Sequence, residues 1–173
     1  MNLAVVIVGL LSVSLAPASA QAISDPEIAS IVVTANQVDI DAGKLAASRA
    51  ASAEVRTFAQ LMITDHTGVN KAASELVAKL KVTPKDNATS QSLRSDGERN
   101  LARLKTLDAM AFDRAYVDHE VAYHQQVIDA LDKILIPGAT NQELKALLIK
   151  VRPAFVAHLE HAKRLQTSIS RDR

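Results

Sequence analysis

The chain has 173 residues, a formal net charge of +1 from 20 basic and 19 acidic side chains, and no cysteine. A balance of this kind supplies no basic stripe for nucleic acid, and the missing thiols exclude disulfides and cysteine nucleophiles. Aromatic residues make up only 3% and Trp is absent, while Ala, Leu and Val abound, a composition suited to closely packed helices, so the expected class is all-α. Residues 1–20 carry no charged side chain, and Ala18-Ser19-Ala20 has the small-x-small pattern of a signal peptidase site. They are read as a signal peptide cleaved after Ala20, although the usual positive residue near the start is missing. Residues 21–173 are then one domain, periplasmic or otherwise exported, with no membrane span after cleavage.

Ser24, Pro26 and Glu27 form a helix-start signal, and Ile28, Ile31, Val32, Ala35, Val38, Ala42 and Ala46 mark the buried stripe of a helix running to about Arg49. Asp39 falls inside that stripe. A second helix is predicted from near Ser52 to about Val82, ended by Thr83-Pro84, with His66 in the middle of its apolar stripe and Asp65 on the flank. The two-to-three-residue link makes these helices antiparallel neighbours. From Pro84 to Leu107 the pattern is weaker, and the segment reads as a long, partly helical crossover. The sequon Asn87-Ala88-Thr89 is read as turn chemistry without function.

A third long helix is predicted from Asp108 to Leu135, with Phe112, Tyr116, Tyr123, Val127, Leu131 and Ile134 on its buried face. Asp113, Glu120 and His124 project to the same side, where a charge is costly unless paired, protonated or bound. Pro137-Gly138 is read as the turn, Thr140-Asn141-Gln142-Glu143 as a capping box, and the fourth helix carries His158 within its stripe and Pro153 as an expected kink. His119 and His161 fall toward the edges and are expected to be solvated.

The links imply an up-down-down-up four-helix bundle, the connectivity of ferritin-like folds, with the crossover between its second and third long helices. At 1.5 Å per residue, Asp39, Asp65, His66, Glu120, His124 and His158 lie about 20 to 31 Å from one bundle end and so share a central layer. Asp113, at about 36 Å, is its weakest member.

The segments Asp39-Ile40-Asp41-Ala42-Gly43-Lys44-Leu45-Ala46, Phe58-Ala59 with Met62, Asp65-His66-Thr67, Phe112-Asp113 with Tyr116 and His124, and His158-Leu159 with Ala162 resemble an exported bacterial family known as domain of unknown function 4142. The resemblance covers about Asp25 to Leu165. It implies a ferritin-like fold and brings no established activity. The family usually has Glu where this chain has Asp39, one methylene shorter.

Two functions fit these residues. In the preferred reading the layer is a buried hydrogen-bond and ion-pair network, with Asp65 or Glu120 orienting His66, His124 or His158, in a non-catalytic envelope module that meets a protein partner. In the alternative, the same six residues hold one transition metal: zinc, iron, copper or manganese. The di-iron pattern of two Glu and two Glu-x-x-His motifs is missing, since Glu120 and His124 are four apart and Phe155 precedes His158 by three. No phosphate loop, nucleophile elbow or metalloprotease motif is present. Geometry discriminates: donor atoms about 2 to 2.5 Å from a common point indicate metal, and pairwise contacts at about 2.7 to 3.2 Å indicate a network.

Overall fold

A computed structural model describes residues 22–171, and the expected signal peptide lies outside them. The described chain is helical: α1 Asp25–Arg49, α2 Ala53–Leu80, α3 Ala88–Lys105, α4 Ala109–Ala130, and α5 Gln142–Arg171, with a π-helical turn Leu131–Leu135 and a short helical piece Ile136–Gly138 extending α4. Among the described residues no helix is long and apolar enough to cross a membrane.

Backbone and side-chain ties fix the direction of each helix. Ser24 N–H donates to Glu27 Oε2 at 3.0 Å, the Glu half of a capping box that starts α1. The link after α2 returns to that same end, where Lys85 N–H donates to the Pro26 carbonyl at 2.9 Å. Helix α3 then runs parallel to α1, because the Arg49 guanidinium at the far end of α1 donates to the carbonyls of Lys105 and Leu107 at 3.0 and 2.9 Å. Helix α4 descends again. Asp25 accepts from the backbone N–H groups of Thr140 and Asn141, both at 2.9 Å, which ties the α4–α5 turn to the start of α1. The long helices α1, α2, α4 and α5 thus run up, down, down and up, as the chain order implies. The crossover is an 18-residue helix whose main neighbour is α1, so the bundle has five helices.

Two apolar clusters fill the bundle, one above and one below its middle. Phe58, Met62, Leu104, Phe112, Tyr116 and Leu165 belong to the first, and Ile28, Ile31, Leu131, Leu148 and Phe155 to the second. The polar layer lies between them.

Three local expectations need correction. Ile134 is 53% exposed, and Leu135, at 4%, takes its place in the core. The π turn accommodates one extra residue and so advances the buried face by one position. Pro137 supplies its cause: it has no N–H for the Lys133 carbonyl, and the wider turn closes instead through the N–H of Ile136 onto the Leu131 carbonyl. The chain therefore stays helical through Gly138 and turns at Ala139–Asn141. The cap of α5 is Asn141, whose Oδ1 accepts from the N–H groups of Glu143 and Leu144 at 2.9 and 3.1 Å. Thr140 is tied to Asp25 instead. Helix α5 continues through Pro153, which is exposed, so the carbonyl deprived of its partner belongs to the exposed Ile149.

Candidate metal centre

Asp39, Glu120, His66, His124 and His158 meet in the middle of the bundle, each only 1 to 3% exposed. Helix geometry sends them there: each occupies the apolar stripe of its helix, and α1, α2, α4 and α5 turn those stripes toward one axis. The three imidazoles touch one another, with ring centroids 5.6 Å apart for His66–His124, 5.3 Å for His66–His158 and 5.4 Å for His124–His158. Phe155 stacks flat on His66 at 5.2 Å and closes that side.

Each histidine has one ring nitrogen held by an oxygen acceptor. His66 Nδ1 donates to Asn36 Oδ1 at 2.7 Å, and the Asn36 amide is itself oriented by Nδ2 donating to the Val32 carbonyl at 2.7 Å. His124 Nδ1 donates to the Glu120 carbonyl one turn earlier at 3.0 Å. His158 Nε2 donates to Asp65 Oδ2 at 2.8 Å. With those nitrogens carrying the protons, the lone pairs of neutral rings sit on His66 Nε2, His124 Nε2 and His158 Nδ1. All three of these atoms are buried and without a hydrogen-bond partner.

Asp39 Oδ2 lies 2.8 Å from His66 Nε2 and 3.5 Å from His124 Nε2, yet neither approach follows a hydrogen-bond direction, and both Asp39 oxygens are unpartnered. The Glu120 carboxyl oxygens and the Tyr116 hydroxyl share that condition. Two sets of three residues, His66 with His124 and His158, and Asp39 with Glu120 and His124, each offer ligand atoms within 4.8 Å of one another.

The electrostatics sort these groups. Burial pushes the Asp39 carboxyl up, but the facing His66, with His124 and His158 beyond it, overrides that and holds it at about 2. Burial and the Asp39 charge push Glu120 well above the ordinary carboxylate value, favouring its protonated form. Burial lowers His124 to about 4 against the attraction of Asp39, and lowers His158 as well. The layer therefore sets the Asp39 carboxylate beside imidazoles, two of which, His124 and His158, are disfavoured by burial from taking a second proton, a donor set suited to a cation.

The remaining candidates stand elsewhere. Asp65 reaches the layer only through His158. Asp113 belongs to the α1–α2 link, where its two oxygens accept from Ala51 N–H at 2.9 Å and Ser52 N–H at 2.7 Å. His119 and His161 are half-buried instead of solvated, packed against Tyr123 at 5.5 Å and Phe58 at 5.0 Å. Sequence reasoning missed Asn36, whose only signal was a polar residue inside the α1 stripe, three positions before Asp39.

A helical bundle whose four long helices converge on a buried histidine–carboxylate layer is the class that fold and site define. The chain belongs to the family described as a domain of unknown function (DUF4142), which it matches over residues 12–165. No curated protein matches it. A solved structure described as "CopM in the Cu(II)-bound form" is similar, with a TM-score of 0.65 and 15% identity, covering 86% of this chain and 99% of that one. At that identity the likeness is one of fold.

Proposed function

We propose that the protein binds one divalent transition-metal ion in the central layer through the imidazoles of His66, His124 and His158, with the Asp39 carboxylate beside them as counter-charge. The observation that carries this is the set of buried, unpartnered lone pairs, each on a ring whose other nitrogen is fixed by an acceptor. Outer-sphere hydrogen bonds of this sort orient metal-binding histidines. The packing-network reading accounts for the outer nitrogens. It leaves the inner atoms exposed to a desolvation cost of about 1–3 kcal/mol each.

Spacing supports the same reading. Ligands about 2.0–2.1 Å from a tetrahedral ion lie about 3.3 Å from each other, and one ligand atom from each of His66, His124 and His158 lies within 4.8 Å of the other two. Asp39, held low, is the carboxylate of the layer that supplies negative charge to a divalent ion. Nitrogen donors with a single carboxylate and no sulfur rank Cu2+ above Zn2+, and both above Fe2+ and Mn2+. The Cu(II) ion in the description of the fold neighbour belongs to that protein, and it agrees with this order. Export after cleavage at Ala20 is part of the proposal, and it would place the bundle where it holds a metal ion outside the cytoplasm beside an envelope partner.

The test is titration of untagged protein with Cu2+ and with Zn2+ by calorimetry, with melting followed in parallel. One ion per chain, Cu2+ the tighter, and a rise in Tm that a chelator reverses are expected. Absence of binding with an unchanged Tm would sink the proposal.

A further inference from the structure

Beside the polar layer the bundle contains a cavity of about 220 Å³. Its walls come from five helices and the π turn: Ile31 and Val32 of α1, His66 of α2, Leu93 of α3, Val127 of α4, Leu131 in the π turn and Phe155 of α5. Asn36 and His66, both buried, form its inner side, while the exposed Thr89 and Gln126 mark the side open to solvent. We propose that this cavity is a binding site for a small neutral apolar molecule, an arene or short-chain hydrocarbon of about ten carbons. The inference goes beyond the metal reading and does not depend on it.

The size argument is direct. A dry apolar cavity of about 150 Å³ takes up benzene, and the space here is larger by roughly a short alkyl chain. The chemical class follows from the walls. No charged side chain lines the cavity, so an ionised ligand would be desolvated without compensation. Of the buried polar groups on the walls, Asn36 and Tyr123 are already committed, and only His66 Nε2 is not. Asn36 uses its amide nitrogen on the Val32 carbonyl and its oxygen on His66, and the Tyr123 hydroxyl donates to the Ala35 carbonyl at 2.8 Å. A ligand hydroxyl or amide would find partners only at His66 Nε2, Thr89 or Gln126, against a lining that is otherwise apolar. The π turn belongs to the same site: it puts Leu131 and Leu135 on one wall, and π turns inside α-helices recur at functional sites.

The experiment uses the full chain with a chelator present, so that failure of the metal reading leaves it intact. n-Butylbenzene is titrated by calorimetry and thermal shift, alongside 4-phenylbutyrate, which has the same skeleton with a carboxylate. Saturable binding of n-butylbenzene with a raised Tm is expected, with 4-phenylbutyrate at least tenfold weaker. Ala130→Phe and Leu93→Trp, each of which fills the space from a different helix, should weaken n-butylbenzene at least tenfold while the protein stays folded. No binding to the wild type, equal binding of the charged analogue, or unchanged binding in a folded variant would overturn the proposal.

Discussion

Asn36 is uncharged and never touches the proposed ion, yet it decides which nitrogen of His66 carries the proton. Its oxygen faces the ring because its nitrogen is occupied by the Val32 carbonyl. Replacement by the near-isosteric Leu removes the acceptor, and loss of such a partner typically costs 10- to 100-fold in metal affinity. Asn36→Leu should therefore weaken Cu2+ by about that factor in calorimetric titration, while Asp65→Asn, at the partly exposed partner of His158, should weaken it less. The pH response of the metal-free protein belongs to the same scale. His124 is lowered to about 4 by burial, below its unfolded value of about 6.5. Between those two values the unfolded chain binds the extra proton, so the contribution of His124 is complete above pH 6.5 and is lost as the pH falls toward 4. Glu120 has the opposite sign: raised by burial and by Asp39, it contributes fully below about pH 4.5 and loses that contribution as the pH rises through its folded value. Urea melts of chelated protein should accordingly show His124→Phe flattening the loss between pH 6.5 and 4, and Glu120→Gln raising stability at pH 8. Asp39, Glu120 and His124 were legible in the sequence because a titratable group inside an apolar stripe is conspicuous. Asn36 breaks its stripe equally, but an amide carries no charge and gives no comparable signal.

Among the elements, the α1–α2 link and the α1–α3 contact are where single atoms decide the packing. Asp113 is wholly buried and accepts from two successive backbone N–H groups, so it pins the start of α2 to α4. Asp113→Ala leaves both donors unpaired and should cost about 2 kcal/mol or more in chemical denaturation, without changing metal stoichiometry. Its inward position was legible. Its partners were not, since they lie about sixty residues away in the chain. Gly97 of α3 faces Val38 of α1 so closely that a Cβ there would sit 2.8 Å from Val38 Cγ1. Ala is favoured over Gly in a helix by about 1 kcal/mol, but overpacking against a β-branched side chain costs about 1–3 kcal/mol. The clash should win: Gly97→Ala lowers stability alone and raises it in a Val38→Ala background, a sign change that a double-mutant cycle reads directly. The weak apolar pattern of α3 concealed a full helix because its contact to α1 relies on small residues. The π turn was hidden for a different reason. A 3.6-residue period carried through it points to Ile134, and only the consequence of Pro137 for the hydrogen bonds moves burial to Leu135.

For the whole molecule, the central fact is that four helices from distant parts of the chain contribute to one polar layer between two apolar clusters. Connectivity was legible because short links force antiparallel neighbours and a long one permits a return; rotation about each helix axis, which sets the ligand distances, was beyond a residue count. The layer interrupts the core at mid-height, so in the metal-free protein the bundle contains a band of unpaired polar atoms where packing contributes least. An ion there would tie α2, α4 and α5 together through the three histidines and draw in Asp39 of α1 by charge, whereas α3 supplies no ligand and is held through α1. Amide hydrogen exchange separates these cases because local opening energies vary along a chain. Chelation should accelerate exchange around Asp39, His66, Glu120, His124 and His158 together, with α3 changing little. Acceleration confined to one helix would mean that the layer is four separate polar contacts, and a uniform change including α3 would mean that the ion stabilises only the global fold.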